Sequence, residues 1–330
     1  MKIGILGATG AVGEQMRECL EERNIEVNEL RLMASPKSAG KKLKFKNEDI
    51  EVIAINDDAF RGLDVVLGAA ENDIAKMYAD QIVKSGAVFI DNSSAFRMND
   101  DVPLVIPEIN GLDVKKHKGI ISNPNCSTII TLMAVAPINK LSEIEFMIAS
   151  TYQAVSGAGV GGMVELREQM KKLAVDENAK LEHNTFKHEI AYNLIPAIGS
   201  KTDNLYTTEE MKMQNEGRKI MHLPNLKVTC TCVRVPVMRS HCISATVVTK
   251  DKLDIEAVRK SIENFEGVRL TDDIDNNIYP MPLNTKNQDL VEVGRIRKDL
   301  VFENGIALFC SGDQIRKGAA SNAVDIIKYL

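Results

Sequence analysis

Short apolar runs alternate with polar, helix-spaced stretches through roughly the first 125 residues, the texture of successive strand–helix units. Lys2–Leu6 predicts a strand, Gly7–Gly13 a turn and Glu14–Arg23 a helix. Leu30–Ala34, Asp64–Ala69 and Ala87–Asp91 predict further strands, with helical spacing over Ile74–Lys84 between the last two. Strands alternating with helices predict an α/β domain built on a Rossmann-type, doubly wound parallel sheet. After Cys126 the pattern changes. Thr128–Lys140, Gly161–Leu181 and Thr208–Met221 predict helices, the last opened by a threonine cap with acids in its first turn. Lys227–Val235 and Ser244–Thr249 alternate as strands do. The mixture predicts an α+β second domain with an antiparallel sheet. The tail, Ala319–Leu330, is helical in pattern and is expected to pack back on the first domain. The expected division is 1–126, completed by a C-terminal helix over 317–330, and 127–316.

Composition adds exclusions. A chain of 330 residues accommodates about two domains of ~150 residues. Its 41 Lys+Arg against 46 Asp+Glu leave a net charge of −5, which argues against nucleic acid as a partner, because such binders need a basic surplus to displace counterions. No apolar window reaches the ~18 residues a membrane span requires, and Met1–Ile5 runs into a strand without signal-peptide architecture. The six cysteines, at 19, 126, 230, 232, 242 and 310, form neither a dense framework nor a Cys-x-x-Cys pair. They read as reduced thiols of a cytoplasmic protein. Cys230 and Cys232, two apart on a strand, point to one face and are expected in the core.

Two segments carry chemistry. GATGAVG at 7–13 lies between a first strand and a first helix, where glycines let the backbone approach phosphates and the helix N-terminus supplies amides and a positive dipole end. The spacing is GxxGxxG rather than strict GxGxxG, so its position in a strand–turn–helix is what makes it a dinucleotide signal. An NAD site usually ends its second strand with an acid for the ribose 2′-hydroxyl. Here the second strand runs into Ser35-Pro-Lys37-Ser38 and on to Lys41 and Lys42. Hydroxyls and cations suit a 2′-phosphate, favouring NADP, with a solvated basic loop as the bland alternative.

The second segment is Ser122-Asn-Pro-Asn125-Cys126-Ser127-Thr128, a turn that opens a helix. A helix N-terminus favours the thiolate, and Asn125 with the first-turn amides can donate to an oxyanion. From spacing alone, nucleophile and buried structural cysteine both stay open. A cysteine nucleophile needs an imidazole, and His241 stands out within Arg234-Val-Pro-Val-Met-Arg239-Ser-His241. His183, His188 and Glu189 have poor chelate spacing and no third ligand, so no metal is expected. His117 and His222 read as surface residues. A reactive cysteine beside a nicotinamide implies aldehyde oxidation through an acyl thioester, released by phosphate or water.

GATGAVG at 7–13, SSAFR at 93–97, NPNCSTI at 123–129, TYQAVSGAG at 151–159, RVPVMRSH at 234–241 and GDQIRKGAASN at 312–322, in this order, resemble the aspartate-β-semialdehyde dehydrogenase family. The resemblance spans most of the chain. It implies a glyceraldehyde-3-phosphate-dehydrogenase-like fold with a catalytic and dimerisation domain, and a partner that is a second copy of the chain, as a homodimer at least, with a tetramer left open. The implied reaction is the reversible, NADPH-dependent conversion of L-β-aspartyl phosphate to L-aspartate 4-semialdehyde and phosphate, in lysine, threonine, methionine and diaminopimelate synthesis. Cys126 would carry the thioester, His241 would act as acid/base and Gln153 would orient the substrate. Arg234 matches the arginine on the substrate α-carboxylate, Glu209 the acid facing its amino group, and Lys212 and Arg97 the phosphate cations; Asn125 matches an asparagine at substrate or phosphate. Thr9, Ala11, Val12, Ser35, Ser38, Ser156, Gly157 and Gln314 match the cofactor site, with Gly7 and Gly10 in the glycine turn. Lys37 departs from a common arginine beside the 2′-phosphate, keeping the charge without the planar fork. Arg239 stays ambiguous, because its neighbour Arg234 takes the carboxylate.

The nearest alternative is an N-acetyl-γ-glutamyl-phosphate reductase, but that family reads Asn-Pro-Gly-Cys-Tyr at the nucleophile and has no use for Glu209. A malonyl-CoA reductase of related build is a further alternative. A non-enzymatic binding relative would be expected to lose the nucleophile, and Cys126, Gln153, Arg234 and His241 are all present.

Overall fold

The computed structural model describes residues 1–56 and 58–330, which form two compact units, 1–125 with 319–330, and 126–318. In the first unit, β1 (Lys2–Leu6), α1 (Ala11–Glu22), β2 (Glu29–Ala34), β3 (Lys42–Phe45), β4 (Glu48–Ala54), β5 (Val65–Gly68), α2 (Asn72–Lys84), β6 (Val88–Asp91), α3 (Pro107–Asn110) and β7 (Ile120–Ser122) follow in order. Their sheet runs β3-β4-β2-β1-β5-β6-β7. Every pairing is parallel except β3 with β4. The central strands are apolar along their length because helices cover both faces: Ile3, Ile5, Leu6, Val66, Leu67, Phe89 and Ile90 are all buried. The C-terminal helix Ser321–Ile326 packs on α1 and β6 within this unit, tied by Arg23 Nε to Asp325 at 2.7 Å. Residues 319–330 thus belong to the first unit.

Boundaries differ from expectation in one informative place. α1 begins at Ala11, not Glu14, so Gly13 lies inside its first turn. A Cβ at Gly13 would stand 2.4 Å from the Gly7 carbonyl oxygen. The third glycine thus serves helix–strand packing rather than the turn.

The second unit comprises α4 (Cys126–Asn139), β8 (Ile144–Gln153), α5 (Gly159–Val175), α6 (Thr208–Met221), β9 (Lys227–Arg234), β10 (His241–Thr249), α7 (Ile255–Glu263), β11 (Val268–Leu270), α8 (Pro282–Thr285), β12 (Val291–Lys298) and β13 (Gly305–Gly312). Its sheet order is β11-β12-β13-β10-β8-β9. The expected antiparallel sheet is in fact mixed: the β8–β10–β13–β12 centre is antiparallel, and each edge pair, β8/β9 and β11/β12, is parallel. The cause is that helices separate the partners of both edge pairs in sequence, as a parallel crossover needs. α4 is apolar all round, CSTIITLMAVAPIN, and therefore fully interior. It packs against β8, β10, β12, β13, α6 and α7. The opposite sheet face is open: Ile148, Tyr152, Thr229 and Thr231 are exposed there, and the Tyr152 and Phe309 rings meet at 6.2 Å.

α5 ends at Val175 rather than Leu181, since Asp176 is extended at φ −144°. β10 begins at His241 rather than Ser244.

Candidate active site

Cys126 is the first residue of α4. An interior helix can present its N-terminal residue only where the chain enters it, and Asn-Pro-Asn before it supplies that entry; a helix amide terminus favours negative charge on a group placed there. Gly318 closes on the same residue, since a Cβ there would be 2.9 Å from Cys126 Cβ. Of the six cysteines, Cys126 alone is not fully buried. Cys230 and Cys232 are core thiols with sulfurs 3.7 Å apart, and burial pushes Cys242 up to about 11.

His241 opens β10 fully buried, and its Nε2 lies 3.4 Å from Cys126 Sγ. The preceding Ser240 sits at φ +77°, a left-handed conformation costing roughly 1–2 kcal/mol in a non-glycine residue. Its N–H donates to Gln314 Oε1 at 2.8 Å, and the Gln314 amide donates in turn to Ser156 Oγ. Gln314 and Ser156, both expected at the cofactor, are thereby tied to the turn that aims the imidazole. The Ala154 N–H donates to His241 Nδ1 at 3.0 Å. Burial, reinforced by the Arg234 cation and opposed by Glu209, holds the His241 pKa down to about 3, so the ring is neutral.

Arg234, the last residue of β9, is buried and donates from Nη1 to the Ala154 carbonyl at 2.7 Å. Its guanidinium stands 5.8 Å from the Phe186 ring centroid, a cation–π distance. Burial lowers its pKa, offset by Cys126, Glu209 and Cys232. Gln153 ends β8 with Oε1 accepting from Thr151 Oγ1 at 2.9 Å and Nε2 donating to Glu209 Oε1 at 3.2 Å. Glu209 is buried in the first turn of α6 and pairs with Lys212 at 2.9 Å, three residues on. The helix is fixed by a capping box between Thr207 and Glu210, so the threonine cap is residue 207, one before the expected start. Cys126, His241, Gln153, Arg234, Glu209 and Lys212 are thus brought together in one unit. Gly157 belongs with them: a Cβ there would be 2.7 Å from Arg234 Nη1 and 3.3 Å from His241 Nε2.

Arg239, left ambiguous by sequence, is a structural residue. It pairs with buried Asp313 at 2.6 Å, and the Asp313 carboxylate also accepts from the amides of Asn287, Ile315 and Arg316. His183 and His188 lie exposed in the irregular stretch after α5 rather than on a helix. His222 is exposed and His117 half-buried.

In the first unit, Arg97 is buried, with Nε donating to the Asn123 carbonyl at 2.9 Å and Nη2 to the Asn92 carbonyl at 2.8 Å. Asp91 holds the segment leading to it, accepting from Ser93 N–H at 3.0 Å and Ser93 Oγ at 2.6 Å. Asn125 is buried at the end of this unit. The glycine turn fits a dinucleotide phosphate. Gly7 sits at φ +89°, and a Cβ there would be 2.7 Å from the Ala69 carbonyl oxygen. α1 starts behind Gly10 with no side-chain cap, which leaves its first-turn amides to a ligand. Thr9, Ala11 and Val12 flank this turn, while Ser35, Lys37 and Ser38 form a short turn directly after β2. The three serve one strand end without an intervening acid.

Sequence reasoning missed three contributors. Ala154 holds both His241 and Arg234 through its backbone, which no side-chain pattern signals. Gly318 is silent for the same reason. Asp313 stands inside a quoted motif, and its burial opposite Arg239 was the unread part.

Family models for semialdehyde dehydrogenases match both halves of the chain: the NAD binding domain over residues 2–117 and the dimerisation domain over 135–317. An aspartate-semialdehyde dehydrogenase of Aquifex aeolicus is 46% identical, the match covering 100% of this chain and 97% of the relative. The crystal structure of aspartate semialdehyde dehydrogenase II from Vibrio cholerae complexed with ASA is 40% identical with a TM-score of 0.95, covering 100% and 97% of the two chains. The Candida albicans enzyme solved with NADP is 25% identical with a TM-score of 0.77, covering 100% and 98%. The chain belongs to the aspartate-semialdehyde dehydrogenase family.

Proposed function

We propose that the protein interconverts L-β-aspartyl phosphate and L-aspartate 4-semialdehyde, with NADP as cofactor and Cys126 as the residue that carries the aspartyl group. The observation that carries this reading is the Cys126–His241 pair at 3.4 Å, set among Gln153, Glu209 and Arg234. In the direction of aldehyde oxidation, the Cys126 thiolate attacks the carbonyl carbon. The resulting alkoxide re-forms the carbonyl as hydride departs, leaving a thioester, and phosphate oxygen attacks this to release the thiolate. The nicotinamide, when bound, supplies the hydride acceptor or donor.

The other roles follow from charge. The substrate is an α-amino acid, and Arg234 offers its carboxylate a forked donor while Glu209 offers its ammonium an anion. Arg97 and Lys212 are the phosphate cations, Asn125 contacts substrate or phosphate, and Gln153 orients the substrate. Glu209 is also what separates this substrate from an N-acetylated one, whose amide has no charge to meet it. The turn at Gly7, Thr9, Gly10, Ala11 and Val12 takes the pyrophosphate; Ser35, Lys37 and Ser38 take the 2′-phosphate, and Ser156, Gly157 and Gln314 complete the cofactor set. The missing acid after β2 supports NADP over NAD.

The working form is at least a homodimer, formed through the open sheet face that carries Ile148, Tyr152 and Phe309. Among the described residues no helix is long and apolar enough to cross a membrane, and free thiols at all six cysteines fit a cytoplasmic setting. Reduction of NADP by L-aspartate 4-semialdehyde, with and without phosphate and with NAD in place of NADP, tests the reading. Turnover only with phosphate, and slower with NAD, is expected; equal turnover without phosphate would overturn it.

A further inference from the structure

We propose that Phe186 is a positioning residue for the substrate carboxylate: its ring seats the Arg234 guanidinium without occupying any of its N–H donors, and Glu165 holds the ring there by gripping the backbone that carries it. The inference rests on Arg234 being the arginine that receives the α-carboxylate.

Of residues 182–189, in the irregular stretch after α5, all are exposed except Phe186, which is half-buried and packs against an apolar cluster that includes Val155, Leu166 and Ile190. Such a stretch buries too little apolar surface to order itself. Two side chains one turn apart on α5 fix it instead. Glu165 Oε2 accepts from the N–H groups of Asn184 at 2.8 Å and Thr185 at 2.5 Å, and its Oε1 accepts from the Phe186 N–H at 3.4 Å. Buried Gln169 accepts from the N–H groups of Ile190 and Ala191 at 3.0 and 2.9 Å and donates to the Glu182 carbonyl at 2.8 Å.

The helix is shaped to admit this segment. α5 opens Gly-Val-Gly-Gly, an unfavourable start by helix propensity. A Cβ at Gly161 would stand 3.1 Å from Thr185 Oγ1, and one at Gly162 would stand 3.0 Å from Phe186 Cζ. The glycines let the segment, and the ring in particular, lie close against the helix.

What the segment meets is Arg234, and it does so twice. The guanidinium carbon stands over the Phe186 ring, 5.8 Å from its centroid. Farther along, Ile195 exchanges two backbone hydrogen bonds with Arg234, at 3.0 and 2.8 Å. An acidic partner would hold the cation more tightly, but it would neutralise the charge and take the forked donors that a substrate carboxylate needs. An aromatic ring attracts the cation through its quadrupole and accepts no conventional hydrogen bond. The guanidinium is thus located by the ring and by its Nη1 anchor on the Ala154 carbonyl, while its charge stays available to the substrate.

Steady-state kinetics of substituted full-length enzyme test this. Phe186→Leu keeps apolar bulk and removes the ring face. It should raise the KM for L-aspartate 4-semialdehyde roughly 5- to 30-fold, the strength of a partly desolvated cation–π contact, with the KM values for NADP and phosphate nearly unchanged. Glu165→Ala should act in the same direction by loosening the backbone beneath the ring, and Glu165→Gln, which keeps an acceptor, should recover much of the loss. Because the ring acts through the arginine, Phe186→Leu should cost nothing further in an Arg234→Met background. Additive losses in the double variant, or equal rises in all three KM values, would show that Phe186 only supports the fold and would overturn the proposal. An unchanged KM for the semialdehyde in Phe186→Leu, with Arg234→Met strongly impaired, would sink the proposal and leave the carboxylate assignment standing. A wild-type KM in Arg234→Met would sink that assignment, and the proposal with it.

Discussion

Gly157 lies so close to Arg234 that the first carbon of any side chain at 157 would stand 2.7 Å from Nη1. The residue does not occupy the left-handed region, so alanine is conformationally allowed and the obstacle is steric. Arg234 would have to leave the Ala154 carbonyl, and His241 would shift with it. Gly157→Ala should lower kcat/KM for L-aspartate 4-semialdehyde by about 10²-fold, the scale of an ångström-sized misplacement. Steady-state kinetics in each substrate check this. A rise confined to the KM for NADP would show that Gly157 serves the nucleotide alone.

In the proposed function Glu209 meets the substrate ammonium with its negative charge. Glu209→Gln keeps the shape and removes the charge, so binding should lose about 1.5–3 kcal/mol, the worth of a hydrogen bond to a charged group. The expected result is a KM raised roughly tenfold to a hundredfold for L-aspartate 4-semialdehyde, with little change for succinate semialdehyde, which lacks the amino group. An equal loss with both aldehydes would assign Glu209 to holding Gln153 and Lys212 only.

His241 sets part of the pH dependence of stability. Its folded pKa, about 3, is below the ordinary 6.5, so at lower pH the unfolded chain binds the proton the folded chain refuses. Stability is therefore complete above pH 6.5 and declines as pH falls toward 3. Thermal melting of wild type and His241→Asn should run parallel above pH 7 and converge or cross below it, because the variant lacks this acid penalty. A constant offset from pH 8 to 4 would contradict the buried neutral ring.

Lys37 is the cation of the turn after β2. Lys37→Glu should raise the KM for NADP by about tenfold or more, since it places like charge at a phosphate, and leave that for NAD nearly unchanged. Parallel changes for both nucleotides would move the 2′-phosphate elsewhere.

Much of this was legible because local chemistry and tertiary role coincide. β1, α2 and α6 have apolar spacing and boundaries that agree with their burial, so the parallel sheet and the Thr-Glu-Glu helix could be read from the chain. Cys126 was visible because asparagine and proline before an apolar run mark a helix start. What stayed hidden depends on distance in sequence. The ten-residue β8 alternates in burial, yet both its partners, β9 and β10, lie far along the chain, and β13 likewise joins β10 at a distance. The charged periodicity predicts α5 too long because it runs past Val175, whereas the backbone turns extended at Asp176. Ala154 was invisible in principle: its contribution is one N–H and one carbonyl, which every alanine carries.

The most direct test is to trap the acyl enzyme. Protein mixed with L-aspartate 4-semialdehyde and NADP in the absence of phosphate, quenched in acid and digested, should show an aspartyl mass gain on the peptide carrying Cys126, formed with one equivalent of reduced nicotinamide and discharged on adding phosphate. Cys126→Ala should form neither adduct nor reduced cofactor while still binding NADPH. An adduct on any other residue, or reduction of NADP with Cys126 unmodified throughout, would contradict the account.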